Sequence, residues 1–235
     1  MEQVEISYGS TIIPFALKRS DRKTMSITVQ PDTTVQVTAP KEAELEKVKK
    51  KVEQKARWIT KQQRFFENFL PATPKREYVS GETHLYLGRQ YRLKVEDSKI
   101  NSVKLIAGRI IVECTSPKNP DFVKQLLSGW YKSHAEKRFE NAIKENKRFF
   151  KKHDIGNPPL EIKRMAKRWG SCTSKGKIIL NPEIIKAPSK CIDYVVIHEL
   201  CHLVHHHHGK DFYELQEKIM PDWRRWKERL EKIMI

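Results

Sequence analysis

Residues 198–202 read His198-Glu199-Leu200-Cys201-His202, and this stretch constrains the fold and the chemistry more than any other. Positions four apart share one face of a helix, so the two imidazoles would stand roughly 6 Å apart and reach a single metal ion. Glu199 follows the first histidine, where its carboxylate can take a proton from a metal-bound water. The stretch therefore predicts a helix that carries a zinc-dependent hydrolytic site.

The surrounding residues are those of a largely buried helix. Apolar side chains stand on both sides of the first histidine, at Ile192, Val195, Val196, Ile197, Leu200 and Leu203. The alternative is a helix whose histidines pack in the core or face solvent without a metal. Burying two histidines and a glutamate in that way would require several compensating hydrogen bonds, so the metal interpretation is favoured.

A third metal ligand is expected from the run His205-His206-His207-His208-Gly209, because a catalytic zinc commonly has three protein ligands and one open position. If the helix continued through the run, His205 would share the metal-facing side with His198. If the helix ended near His205 and the chain turned back, His208 could fold over the metal, and Gly209 would help the turn. Helix geometry alone leaves both ligands open.

Several motifs occur in a characteristic order. They are Arg168-Trp169-Gly170-Ser171-Cys172, Asn181-Pro182, the run from Tyr194 to His202, and His208 followed by Phe212-Tyr213. Their order and spacing resemble the YgjP-like metallopeptidase family, also called the domain of unknown function 45, and weaker similarity extends over most of the chain. The resemblance implies a minigluzincin-like zinc metallopeptidase domain with one Zn²⁺ per chain. It also implies His208 as the third ligand, with His205 as the alternative.

The predicted mechanism uses these residues in distinct roles. His198, His202 and His208 hold zinc as neutral imidazoles, and Glu199 acts as general base and then as proton donor to the leaving group. Further contacts to substrate or to a developing oxyanion are expected from Arg168, Trp169, Ser171 and Tyr213. Three of them have a structural alternative: Trp169 as a core anchor, Tyr213 as a packing residue, and Arg168 as the partner of a local carboxylate.

Net charge is the second strong signal, at +17 from 46 basic and 29 acidic residues. Such a field attracts anions, so nucleic acid, a nucleotide, an acidic protein or an anionic membrane surface are all candidate partners. Three classes of function remain. The first is a metallopeptidase, which could be DNA-associated; the second is a metal-dependent nucleotide pyrophosphatase or phosphohydrolase. The third is a nucleic-acid-binding protein with a structural zinc, although structural zinc sites commonly have four ligands and are rich in cysteine.

The sequence favours a cytoplasmic protein. No stretch approaches the roughly 20 apolar residues that span a bilayer, and the start from Met1 to Glu5 lacks a basic and then apolar pattern. The four cysteines form no CxxC pair, so free thiols are expected. Neither the substrate nor the oligomeric state follows from these features.

The fold class predicted is α+β, with an antiparallel N-terminal sheet region and long helices followed by the minigluzincin-like domain that the resemblance implies. Alternating apolar residues at 25–29 and 35–39 indicate a hairpin, and a long amphipathic helix from Leu45 to Phe69 ends at Pro71-Ala72-Thr73-Pro74. Further strands at 85–112 indicate an antiparallel sheet, followed by a second long helix from Pro120. We expect a β-rich region with one long helix at 1–118 and a mainly helical zinc metallohydrolase domain at 119–235, or one continuous unit.

Overall fold

The structure is a computed structural model that describes residues 2–9, 11–30, 32–67, 76–166 and 168–234. The chain divides into two compact units, an N-terminal unit within residues 1–74 and a C-terminal unit within residues 75–234. Both units combine helices with sheets, so the α+β class is confirmed. Among the described residues, no helix is both long enough and apolar enough to cross a bilayer.

The N-terminal unit begins with a four-stranded sheet. Its strands are β1 (Glu2–Tyr8), β2 (Thr11–Ser20), β3 (Ser26–Val29) and β4 (Val35–Pro40), in the order β1-β2-β4-β3. The predicted hairpin is present, with Ile27 opposite Val37 and alternate residues of β4 buried. The sheet is mixed where an antiparallel one was expected, because the second hairpin places β4 beside β2 and the two strands run parallel.

Two helices cover this sheet, α1 (Leu45–Gln54) and α2 (Ala56–Glu67), where one long helix was expected. The helices meet at Lys55, whose N–H bonds to the Val52 carbonyl in a tight turn. The apolar stripe continues across the break through Val52 and Ala56 and packs into a core with the sheet. The proposed linker at 71–74, like Phe69, lies outside the described residues.

The C-terminal unit begins with a second four-stranded sheet. Its strands are β5 (Thr83–Tyr86), β6 (Arg89–Asp97), β7 (Ser102–Ile106) and β8 (Arg109–Cys114), in the order β5-β6-β8-β7. Here too the central pair, β6 with β8, is parallel and the outer pairs are antiparallel. The expectation of an antiparallel sheet therefore holds for the hairpins but not for the pairing between them.

This second sheet shares a hydrophobic core with the helices that follow it. The 28-residue α3 (Pro120–Lys147) starts with the Asn119 side chain accepting hydrogen bonds from the first-turn N–H groups. Val123 and Leu127 share one core with Ile110 and Val112 of β8. The chain is therefore divided between residues 74 and 75, whereas the sequence suggested a boundary after residue 118.

The remaining elements build the platform around the histidines. They are β9 (Leu160–Ile162), β10 (Gly170–Cys172), β11 (Ile178–Leu180), α4 (Ser189–Cys201), α5 (Lys210–Ile219) and α6 (Trp223–Met234). The three strands form a small sheet in the order β10-β11-β9, which leaves β10 at an edge. A half-buried ion pair of 2.9 Å between Arg138 of α3 and Asp193 of α4 helps to fix the helix that carries the histidines.

Candidate metal centre

Three imidazoles converge at the end of α4. The Nε2 atom of His208 lies 3.0 Å from Nε2 of His198 and 3.1 Å from Nε2 of His202. The ligand atoms of all three residues lie within 4.8 Å of one another. Two nitrogen atoms bound to one tetrahedral ion at 2.0–2.1 Å would stand about 3.3 Å apart, so these residues fit a single transition-metal ion.

The way α4 ends explains why His208 joins the cluster. The helix stops at Cys201 with His202 as its cap, and the N–H groups of Leu203 and Val204 bond back in tight turns. The chain then reverses, so that His208 rather than His205 meets the other two imidazoles. Gly209 has extended backbone, with φ −81°, and caps the start of α5 instead of supplying a left-handed turn.

The Nδ1 atoms of His198 and His202, which point away from the cluster, also have hydrogen-bond partners. Nδ1 of His198 lies 2.9 Å from Oε1 of Gln216, and Nδ1 of His202 lies 3.3 Å from the carbonyl oxygen of His205. Each oxygen can only accept, so each Nδ1 carries the proton and each Nε2 presents its lone pair to the cluster. His205 thus contributes through its backbone, and Gln216, which is fully buried, acts through its side chain.

Burial keeps these ligand nitrogens available. Desolvation lowers the pKa of His198 to about 4, although the hydrogen bond to Gln216 acts in the opposite direction. Burial also lowers the pKa of His202, and the neighbouring His208 adds to the effect. Both imidazoles are therefore neutral near pH 7, which is the protonation state that a metal ion requires.

Glu199 is a buried carboxylate beside the three histidines. Its side chain is almost wholly enclosed, at 4% exposure, and its Oε2 atom has no hydrogen-bond partner among the described residues. Burial raises its pKa to about 8, and the Arg168 guanidinium and the Cys172 N–H only partly oppose this. An unpartnered buried carboxylate oxygen is costly unless another group, such as a cation or a water, interacts with it.

Gly170 provides the space that Glu199 occupies. A Cβ atom at residue 170 would lie 2.5 Å from Oε1 of Glu199 and 2.9 Å from its Cγ, closer than non-bonded atoms approach. Gly170 opens strand β10 and pairs with Leu180 of β11. Its role is therefore to allow the close approach of strand and carboxylate.

An open cleft of about 680 Å³ leads to the histidine cluster. One side is formed by the edge strand β10 and the residues around it, and the other by Glu199 and by the side chains of His198, His202, His206 and His208. The residues from the strand side are Arg168, Gly170, Ser171, Cys172, Thr173 and Ser174. Two of the four predicted substrate contacts, Arg168 and Ser171, thus face the cleft.

The other two predicted contacts, Trp169 and Tyr213, do not line this cleft. Trp169 is half-buried and packs against the main core, and its carbonyl accepts a hydrogen bond from Asn181. Tyr213 stacks on Trp223 at 5.7 Å and on His208 at 6.1 Å between ring centroids. Neither residue is among those that line the cleft, and their role as substrate contacts stays a prediction.

Three supporting residues had no assigned role in the sequence interpretation. Asn181 is buried, and its amide donates to the carbonyls of Met165 and Arg168, which fixes the loop before β10. Gly170 and Asn181 both stand inside the motifs noted above, and that was their only signal. Gln216 lies 18 residues after His198 and had none, because its role depends on how α5 packs on α4.

The comparisons with known proteins agree with this geometry. The sequence model of the YgjP-like, metallopeptidase domain family matches residues 23–233, which is nearly the whole chain. Comparison with curated proteins found no match. Since the family match spans both compact units and includes the three converging histidines, the chain belongs to the YgjP-like family of metallopeptidase domains.

Proposed function

We propose that this metallopeptidase-family chain is a zinc-dependent peptidase whose metal is held by His198, His202 and His208. The observation that carries the proposal is the convergence of three Nε2 atoms beside a buried glutamate. Three imidazole nitrogens favour zinc or another transition metal over magnesium or calcium, which prefer oxygen ligands. His205 is the alternative ligand, but its backbone carbonyl already serves His202.

A bound zinc ion would polarise the substrate carbonyl and make an attacking water more acidic. Glu199 supplies the proton transfers in this proposal. Its enclosed carboxylate lies beside the histidines, and in its ionised form it takes a proton from the water and gives it to the departing amine. Gly170 holds the strand close without a side chain in the way.

The edge strand β10 offers a place for an extended peptide. Among the described residues, it pairs with β11 on one side only, and it lines the cleft next to Glu199. A substrate strand that pairs with this free edge would gain main-chain hydrogen bonds and pass beside the histidines. Arg168 is exposed at the cleft and would favour an acidic group on the substrate.

A nucleotide pyrophosphatase or phosphohydrolase is the second candidate, and the cleft lining supports it. Arg168 and the hydroxyl groups of Ser171, Thr173 and Ser174 are suited to phosphate oxygens, and the +17 charge attracts anions. A purely structural zinc in a nucleic-acid-binding protein is less well supported, because only three ligands converge among the described residues.

The test compares substrates on the same zinc-loaded protein. We expect cleavage of an unfolded protein, with Glu199→Gln retaining zinc and losing roughly 10²-fold to 10⁴-fold of the turnover. Release of pyrophosphate or phosphate from nucleoside triphosphates, with no peptide cleavage, would support the second candidate instead. Unchanged turnover in Glu199→Gln would contradict the role of this glutamate in either reaction.

We also propose a cytoplasmic location. All four cysteines, Cys114, Cys172, Cys191 and Cys201, are free thiols, and three of them are buried. Unpaired thiols are typical of proteins that work in a reducing compartment. Fluorescence of a tagged chain in fractionated cells would test the location.

A further inference from the structure

The N-terminal unit carries a second concave surface, which we call the Trp58 groove. It has a volume of about 420 Å³ and is lined by Met25, Ile27, Lys51, Gln54, Lys55 and Trp58. The strand side is formed by the approach to β3, an edge strand, and the helix side by α1 and α2. The groove lies wholly within the N-terminal unit and so is distinct from the cleft at the histidines.

The aromatic ring in this groove is open to solvent. Trp58 is 42% exposed, although it stands between Ala56 and Ile59, which are fully buried. Met25 and Ile27 are partly buried and pack against the core of the unit, so they give the groove an apolar base. Part of the Trp58 side chain is therefore accessible at the surface, beside the apolar base of the groove.

The groove is also positively charged. Lys51 and Lys55 have no carboxylate within ion-pair distance among the described residues. Lys47 and Lys49, on the same helix, are instead paired with Glu44 and Glu46. Residues 45–67 contain eight basic and three acidic residues, so the whole helical surface favours an anionic partner.

We propose that the Trp58 groove binds single-stranded nucleic acid, with a base stacked on Trp58 and the backbone phosphates on Lys51 and Lys55. An exposed aromatic ring in the same groove as two unpaired cations matches this ligand, because every base offers a face for stacking and every linkage a negative charge. Stacking and phosphate contacts can be made with any base, so we expect recognition that is largely independent of sequence. The inference goes beyond peptide hydrolysis and does not depend on the metal.

The experiment measures binding of a labelled oligothymidylate of about 20 nucleotides to the full chain by fluorescence anisotropy at several salt concentrations. Trp58→Leu keeps an apolar side chain but removes the aromatic face, and we expect binding roughly tenfold to hundredfold weaker. Trp58→Phe should retain most of the affinity. Thermal unfolding of each variant, compared with the unchanged chain, shows whether the N-terminal unit stays folded.

The lysines are tested through the salt dependence. For single strands, each phosphate contact contributes about 0.7 to the slope of log affinity against log salt. Lys51→Gln with Lys55→Gln should therefore lower the slope by about 1.4. The matched control, Lys47→Gln with Lys49→Gln, removes the same charge from paired lysines outside the groove and should change the slope much less.

Three outcomes would overturn the proposal. The first is no binding of the oligonucleotide at low salt. The second is binding that is equal in Trp58→Leu and the unchanged chain, which would place the nucleic acid elsewhere. The third is binding of polyglutamate, and not of the oligonucleotide, with the same dependence on Trp58, which would assign the groove to an acidic protein segment.

Discussion

The two four-stranded sheets of this protein have the same strand order. They differ in what the helices packed on them contact. In each, two antiparallel hairpins lie side by side with a parallel central pair, β2 with β4 in one and β6 with β8 in the other. Each sheet is followed by helix. The same local construction therefore occurs once in each compact unit.

The helices that follow the sheets meet different surroundings. In the C-terminal unit, α3 contacts β8 and also α4, the helix that carries His198. In the N-terminal unit, α1 and α2 pack on the sheet through one buried stripe, and Lys51, Lys55 and Trp58 line a groove beside it. The two units thus share a sheet covered by helix. They differ because only the helix of the C-terminal unit packs against a further helix that carries the converging histidines.

The largest expected effect tests which histidine of the C-terminal unit is the third metal ligand. His208→Ala removes one of three converging nitrogens, so we expect the bound zinc to fall from about one per chain to near zero, together with activity. His205→Ala should retain the metal, because His202 uses only the carbonyl of residue 205. Metal content by elemental mass spectrometry checks both, and the reverse result would make His205 the ligand.

A smaller loss is expected when the strand is pushed away from the carboxylate. In Gly170→Ala the new methyl group would overlap Glu199, and a displacement of about 1 Å costs about 100-fold in turnover. Gly129→Ala on α3 is the control, since nothing lies within 4 Å of its Cβ position. Equal turnover in both variants, measured with zinc bound, would show that the close approach is not needed.

Core substitutions test whether the two compact units are stabilised independently of each other. Phe139→Ala in α3 should cost about 3–5 kcal/mol of unfolding free energy, and Ile59→Ala in α2 about 2–5 kcal/mol, because both side chains are fully buried. Hydrogen exchange should show the first change in α4 and the second in the sheet of the N-terminal unit. Faster exchange in α4 caused by Ile59→Ala would mean that the units are energetically coupled.

Local patterns in the sequence predicted the local features well. Apolar alternation predicted the β3–β4 hairpin, and helical spacing placed His198 and His202 on one face. The parallel pairing of β2 with β4 was not predictable in this way, since it joins strands of two separate hairpins. The break at Lys55 was missed because the apolar stripe continues across it.

The site was predictable to the extent that it is local. The metal-binding stretch predicted Glu199 beside the histidines, and the family resemblance favoured His208, whose role as a ligand stays a prediction. Trp169 and Tyr213 were expected near substrate and are not among the residues that line the cleft, so this role stays a prediction; residue type alone does not show which way a ring faces. The approach of Gly170 to Glu199 joins two elements and has no local signal.

Gln216 gives the smallest effect and the sharpest test of long-range support. Its Oε1 accepts the proton of His198 Nδ1, so Gln216→Leu should weaken zinc binding by roughly 10-fold to 100-fold. Gln216→Glu keeps an acceptor at this position and should retain tighter zinc binding than Gln216→Leu. Competition with a zinc chelator measures both affinities. If Gln216→Leu bound zinc as tightly as the unchanged chain, α5 would serve only to place His208, and the orientation of His198 would come from α4 alone.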